Sequence, residues 1–185
     1  MEDFRVVRKL GKGGQGTTLQ VQRKVDGFSF VVKQVVCESI VAANQALREA
    51  KTLQRLEHTS ICRYEDVFLD EQRHGHDKKL VVCIVMEFCE KGDLSHAINH
   101  FRGVRRSAIP EAQLARWLHD ICEGLRYVHA AGVLHRDLKT PNIFVSRDGK
   151  VKLGDFGLAR QVTAEIRSRV GTPCYLAPEV MQSDS

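Results

Sequence analysis

The chain has 185 residues, 43% hydrophobic and 28% charged, with a formal net charge of +5, which fits a globular protein with one ordinary core or two small lobes. Its basic residues are spread along the sequence and only 6% of residues are aromatic, which argues against a nucleic-acid partner, because such a surface needs a basic stripe with interleaved aromatics. No apolar run nears the roughly 18 residues of a membrane span, and the opening MEDFRVVRKL lacks a signal-peptide core, so no membrane partner is expected.

Phe4 to Leu10 reads as a strand, and Gly11-Lys12-Gly13-Gly14-Gln15-Gly16 follows. Glycines at 11, 13 and 16 let backbone amides approach phosphate oxygens, since no Cβ stands in the way. Alone, this spacing is a flexible turn or a dinucleotide fingerprint, and the fingerprint requires a helix next. Thr17, Thr18 and Val21 instead favour a strand from Thr17 to Gln22. Asp26-Gly27 turns the backbone into a third strand, Phe28 to Lys33. The spacing of Ala43, Ala46, Leu47, Ala50 and Leu53 predicts a helix over Ala42 to Leu56, with Glu49 beside the apolar stripe.

Residues 70–79, DEQRHGHDKK, read as a charged, solvated loop between two strands, and the His74-Gly75-His76 it contains reads as surface and not a metal site. Leu80 to Val85 is a continuous apolar strand, the pattern of a strand covered on both faces. Pro110-Glu111 opens a long helix, with proline in its first turn and an acid near the positive end of its dipole. Leu114, Trp117, Leu118, Ile121, Leu125 and Val128 form its apolar stripe, read as core, and Gly132 ends it. The six cysteines (37, 62, 83, 89, 122 and 174) contain no CxxC pair and read as the reduced thiols of a cytosolic or nuclear protein.

The stretch from His135 to Gly157, HRDLKTPNIFVSRDGKVKLGDFG, carries the chemistry. Ile143-Phe144-Val145 and Val151-Lys152-Leu153 flank Asp148-Gly149, a two-residue hairpin signal. That hairpin brings Asn142 and Asp155 together at its open end, with Asp137 just upstream and Lys139 beside them. Two carboxylates and a carboxamide make a set of hard oxygen donors suited to Mg²⁺. A phosphoryl-transfer centre is expected.

These motifs resemble those of eukaryotic protein kinases: His135-Arg136-Asp137 with Asn142 matches the catalytic loop, and Asp155-Phe156-Gly157 the metal-binding motif. The resemblance implies an α+β, bilobal protein-kinase-like fold. Its N-lobe (1–86) would be an antiparallel β-sheet plus helix C, followed by a hinge (87–92) and a partial, mostly helical C-lobe (93–185). It further implies ATP and Mg²⁺ as cofactors and protein substrates with serine or threonine acceptors. Asp137 is then the residue that takes the hydroxyl proton, Lys139 neutralises the γ-phosphate, and Asn142 and Asp155 hold metal. Lys33 would grip the α- and β-phosphates, and Glu49, nine residues before His58, would pair with it. Around the nucleotide the resemblance places Leu10, Gly11, Gly13, Gly16, Thr18, Val31, the gatekeeper Met86, Glu87, Cys89, Asp93 and Phe144. Thr18 stands where kinases usually carry valine against adenine, and its hydroxyl lowers the expected nucleotide affinity. Leu53, Tyr64, His135 and Phe156 match the regulatory spine.

Lys139, two residues after Asp137, and Thr172 beside Pro173, expected to brace Asp137 and Lys139, are the serine/threonine form. Pro141 stands where basophilic kinases often carry an acid. Ser168, between Arg167 and Arg169, takes the activation-loop position, where a phosphate would pair with Arg136. The wording HRDLKTPNIF, LGDFGLAR and VGTPCYLAPE is most similar to the NIMA-related (Nek) serine/threonine family, with Phe144 and Gly154 the most telling residues. That resemblance implies a cytoplasmic protein with cytoskeletal, centrosomal or basal-body association. The sequence ends six residues after Glu179 of Ala177-Pro178-Glu179, so the resemblance implies a C-terminally truncated catalytic domain. The alternative to an active kinase is a catalytically silent nucleotide-binding or interaction fragment.

Overall fold

Short polar turns between β-branched runs build the first half of the protein. In a computed structural model, residues 1–13, 16–74, 77–103, 106–156, 160–161 and 171–182 are described. The protein divides into two units: Met1–Glu57 with Arg63–Phe88, and His58–Cys62 with Cys89–Ser185.

The first unit is a five-stranded antiparallel sheet and one helix. Strands β1 (Phe4–Gly13), β2 (Gly16–Arg23), β3 (Ser29–Cys37), β4 (Tyr64–His74) and β5 (Asp77–Glu87) lie in the order β1-β2-β3-β5-β4. Strand alternation sorts β3 into two faces. Phe30 and Val32 point into a core with Val21, Val81, Cys83 and Val85, against which Phe4 and Phe68 pack. Val31, Lys33 and Val35 lie on the other face, where Val35 packs with Cys37, Val82 and Ile84 against Ala43, Ala46 and Leu47 of helix α1 (Ile40–Leu53). The helix begins earlier and ends earlier than its apolar spacing suggests. Ser39 caps it, its Oγ accepting from the Ala42 N–H at 3.1 Å, and Leu56 is buried in the turn beyond it.

The expected loop over 70–79 is a correction. Both strands continue through it, with pairs Asp70↔Val81, Glu71↔Leu80, Gln72↔Lys79 and Arg73↔Lys78, and only residues 75–76 fall outside the described residues. Glu71, Lys78 and Lys79 are exposed, and Lys78 pairs with Glu71 at 3.1 Å. A ribbon made of charged and other polar side chains shows no apolar alternation, so its polarity hides its strands.

The second unit contains α2 (Leu94–Gly103), α3 (Glu111–Ala130), the β6 (Val133–Leu134) and β9 (Arg160–Gln161) pair, the β7 (Ile143–Val145) and β8 (Val151–Leu153) hairpin, and α4 (Pro178–Gln182). Helix α2 was not expected. Asp93 caps it, Oδ1 accepting from the His96 N–H at 2.8 Å. The hairpin turn is longer than two residues: Ser146 N–H donates to Lys150 C=O at 3.0 Å, enclosing Arg147, Asp148 and a left-handed Gly149 (φ 87°).

Helix α3 anchors that hairpin. Trp117 Nε1 donates to Gly149 C=O at 3.3 Å, and Val151 N–H donates to Asp120 Oδ2 at 3.1 Å. Gly124 lets the helix approach closely, since a Cβ there would sit 2.9 Å from Ser60 O and 3.0 Å from Leu153 Cδ1. Of its predicted stripe, Trp117 and Val128 are buried, but Leu114 and Leu118 are 41% and 61% exposed, so the stripe is narrower than its spacing suggests. Segment 58–62 joins this unit because Cys62 N–H donates to Leu153 C=O and Leu153 N–H to Ser60 C=O, both at 2.8 Å. No helix among the described residues is long and apolar enough to cross a membrane.

Candidate active site

A carboxylate that collects three donors is held in one orientation, and Asp137 is such a group. Lys139 Nζ lies 2.8 Å from Asp137 Oδ2, Asn142 Nδ2 donates to the same oxygen at 3.0 Å, and Thr172 Oγ1 donates to Oδ1 at 2.6 Å. Thr172 Oγ1 in turn accepts from Lys139 Nζ at 2.7 Å. Residues 33 and 35 positions apart in sequence thereby close one ring of hydrogen bonds. Burial pushes the Asp137 carboxyl up, but the bonds from Lys139, Thr172 and Asn142 outweigh it, and the net pKa is below the usual 3.8. At neutral pH Asp137 is a positioned carboxylate, as a proton acceptor must be.

Asn142 ends a short 3₁₀ turn, Thr140–Asn142, that leads directly into β7. Its Nδ2 also donates to the backbone carbonyl of Asp137 at 2.8 Å, which leaves Oδ1 as the atom that could meet a metal. Its own backbone carbonyl accepts from Gly154 N–H at 2.9 Å, which ties the residue before Asp155 to the start of the hairpin. Asp155 is half-buried with φ 52°, and Arg136 has φ 65°. Non-glycine residues in the left-handed region cost on the order of 1–3 kcal/mol and persist at functional sites where the surroundings hold them. No group of three or more His, Cys, Asp or Glu side chains gathers as a metal cage among the described residues. A donor set of one carboxylate and one carboxamide oxygen fits Mg²⁺, which keeps waters and substrate oxygens in its shell.

His135 is 3% exposed; its Nε2 donates to Gly154 C=O at 3.0 Å while Nδ1 accepts from Asp137 N–H at 3.3 Å. That fixes the neutral tautomer. Its ring packs on Phe156, centroids 4.5 Å apart. Burial pushes its pKa below 6.5 despite the Gly154 carbonyl and the Asp155 and Asp137 charges. The folded state therefore resists a proton that the unfolded protein accepts. The stability tied to neutral His135 is present above pH 6.5 and lost as pH falls below it. Urea midpoints are expected to be level from pH 8 to about 7 and to fall by about pH 5.5; a midpoint that rises on acidification contradicts this assignment.

In the first unit, Thr18 lies directly opposite Lys33, and Val31 opposite Met86, so these four share one face of the sheet. Leu10 is 42% exposed. The glycines of the loop differ in purpose. A Cβ on Gly11 would meet nothing within 4 Å, whereas one on Gly16 (φ 151°) would sit 1.7 Å from Gln34 O. Gly11 borders open space; Gly16 is required by the β2–β3 pairing itself. Gly13 is paired with Gly16, and Gly14 and Gln15 lie outside the described residues. Glu49 is exposed, and its Oε1 accepts from Gln45 Nε2 at 3.1 Å. Glu87 Oε2 accepts from Arg63 N–H at 2.9 Å.

In the second unit, Cys89 is buried with its sulfur 4.0 Å from that of Cys62. Phe144 is half-buried and bridged to Asp93. The carboxylate of Asp93, expected near the ribose, is engaged at Oδ1 as the α2 cap; the sequence signal for that cap is an Asp immediately before Leu94. Of the spine residues, Leu53 and Tyr64 are buried in the first unit and His135 and Phe156 in the second. Gly157, Arg167, Ser168 and Arg169 lie outside the described residues.

Known proteins are similar to this sequence along nearly its whole length. The protein kinase domain family matches residues 4–185. Serine/threonine-protein kinase Nek1 of Mus musculus is 35% identical over 188 residues, which is 99% of this sequence and 15% of that protein. Serine/threonine-protein kinase Nek3 of Oryza sativa subsp. japonica is 34% identical over 98% of this sequence and 30% of its own length. Serine/threonine-protein kinase Nek5 of Homo sapiens is 35% identical over 99% and 25% respectively. The 185 residues thus span less than a third of the length of these relatives.

Proposed function

The chain belongs to the protein kinase family as a Nek-like serine/threonine kinase domain, and from that premise we propose that it transfers the γ-phosphoryl group of ATP, with Mg²⁺, to serine and threonine hydroxyls of protein substrates. The observation that carries this reading is the Asp137 carboxylate held by Lys139, Asn142 and Thr172 together. Phosphoryl transfer asks the protein for alignment and charge stabilisation more than for covalent chemistry.

In this reading Asp137 orients the attacking hydroxyl and takes its proton at the oxygen facing the acceptor. Lys139 offsets charge on the γ-phosphate, and Thr172 holds both in register. Asn142 Oδ1 and the Asp155 carboxylate would hold Mg²⁺, which supplies charge neutralisation to the phosphates. Lys33 binds the α- and β-phosphates; Glu49, bonded to Gln45 here, orients it. Backbone amides at Gly11, Gly13 and Gly16 take phosphate oxygens. The family resemblance assigns base contacts to Leu10, Thr18, Val31, Met86 and the backbone of Glu87 in the first unit, and to Phe144 and the backbone of Cys89 in the second, where Asp93 would serve the ribose. A phosphate on Ser168 would add about −1.5 to −2 charges for Arg136 to bind.

The test is phosphate incorporation from γ-labelled ATP into matched peptides with a serine, threonine or tyrosine acceptor. Labelling of serine and threonine but not tyrosine is the expected result, and Ser168→Ala is expected to abolish the activation that follows preincubation with ATP. Nucleotide binding without transfer to any peptide would instead favour a silent nucleotide-binding module. Full activity of Ser168→Ala would remove the switch.

A further inference from the structure

Gly154 is a glycine for want of space, not for backbone freedom. Its φ is not among the positive values of the described residues, and an alanine could adopt its backbone. A Cβ there, however, would lie 2.7 Å from Cε2 and 2.8 Å from Cδ2 of the Phe144 ring, and 3.0 Å from Cys62 Sγ. Contacts this short are not tolerated, so something must shift.

Gly154 itself cannot yield. Its N–H is bonded to Asn142 C=O at 2.9 Å, and its C=O accepts from buried His135 at 3.0 Å. The Phe144 backbone is fixed as well. On one side β7 pairs Phe144 with Lys152 of β8; on the other, Asp93 bridges Phe144 and Val145 N–H donates to Gly92 C=O at 2.7 Å. Cys62 is 3% exposed with its sulfur against that of buried Cys89, so that side is filled too. The half-buried ring of Phe144 is therefore the part left to give way to a side chain at position 154.

We propose that Gly154 is a positioning residue for nucleotide binding: by omitting a side chain it sets the depth of the Phe144 ring, the surface on which the base rests. This rests on the kinase reading above. Residues 144 and 154 then act as one unit, in which a ring at 144 demands glycine at 154, and a leucine at 144, which lacks Cε2 and whose branched, flexible end can turn its Cδ atoms aside, relaxes that demand in part.

The experiment is a double-mutant cycle of Gly154→Ala, Phe144→Leu and the pair, read by titration with a fluorescent ATP analogue and by nucleotide-free melting. Gly154→Ala is expected to weaken the analogue on the order of tenfold, the scale of an overpacking change, and to lower the melting temperature. In the Phe144→Leu background the same substitution is expected to cost clearly less in both, the remainder being its contact with Cys62. Equal losses in both backgrounds overturn the proposal, as does Gly154→Ala binding the analogue like the parent. Should Gly154→Ala fail to fold, folding and binding restored in the double variant support the coupling. If the unsubstituted protein does not bind the analogue, the kinase reading fails and the base-positioning role with it, while the melts alone then report whether ring and Cβ collide.

Discussion

Asp137→Asn is expected to lower the rate of phosphotransfer by about 10²- to 10⁴-fold, the range a positioned general base contributes, while leaving affinity for ATP within a few fold. The substitution is nearly isosteric, so the fold has no cavity to fill. What changes is the sign of the hydrogen bonds. Asp137 Oδ2 accepts from Lys139 and Asn142, and Oδ1 accepts from Thr172. In one orientation the new amide NH₂ faces two donors; in the other it faces Thr172 Oγ1, already an acceptor for Lys139. In the first a donor meets donors, and in the second the Thr172 hydroxyl must turn from donating to accepting; either way the charge on the acceptor is gone, and a charge-assisted bond worth roughly 1.5–3 kcal/mol is weakened. A modest fall in melting temperature therefore accompanies the kinetic loss. Steady-state kinetics beside an ATP-analogue titration separate the two effects. Activity within about tenfold of the parent would remove Asp137 from the role of base; a matching loss of nucleotide affinity would mean that the site collapses as a whole.

Local chemistry is legible in the sequence and distant closure is not. The hairpin over 143–153 follows from two short apolar runs around a turn signal, and its consequence, that Asn142 and the residues at its far end share one place, follows from strand pairing alone. The structure shows the tie directly, in the Gly154 N–H to Asn142 C=O bond. The strands around the glycine loop are legible for the same reason. Helix α2 is hidden because Leu94 is its one buried residue among those described, although its Asp93 cap stands in plain view. The charged ribbon at 70–79 is hidden because its side chains are charged or polar throughout, apart from one glycine, which removes the apolar alternation on which strand reading depends. The joining of 58–62 to β8 and of Thr172 to Asp137 spans far more sequence than any period can report. Thr172 is placed by resemblance, and physics accounts for it only afterwards, through a hydroxyl able to accept from Lys139 and donate to Asp137 at once.

Asp155→Ala is expected to abolish the Mg²⁺-dependent part of stabilisation by ATP. A ligand that binds the folded state alone raises stability by about 2.7 kcal/mol at one hundred times its dissociation constant, so the parent's melting temperature should rise by several degrees in saturating Mg²⁺-ATP. With two protein oxygens in the proposed site, Asn142 and Asp155, loss of the carboxylate leaves a single neutral ligand, too little for a hard divalent ion that surrenders its waters reluctantly. The variant should keep the smaller shift that ATP gives in EDTA, because the phosphate contacts proposed for Lys33 and the glycine loop do not involve the metal. His135 supplies the control on folding: its Nε2 bond goes to Gly154 C=O and its ring packs on Phe156, neither of which the substitution removes. The variant's melting temperature without ligand should accordingly fall only modestly, because alanine is less at ease than aspartate in the left-handed backbone of position 155 (φ 52°). Equal Mg²⁺-ATP shifts in parent and variant would place the metal elsewhere, and with it the phosphates that Asp137 is positioned to serve.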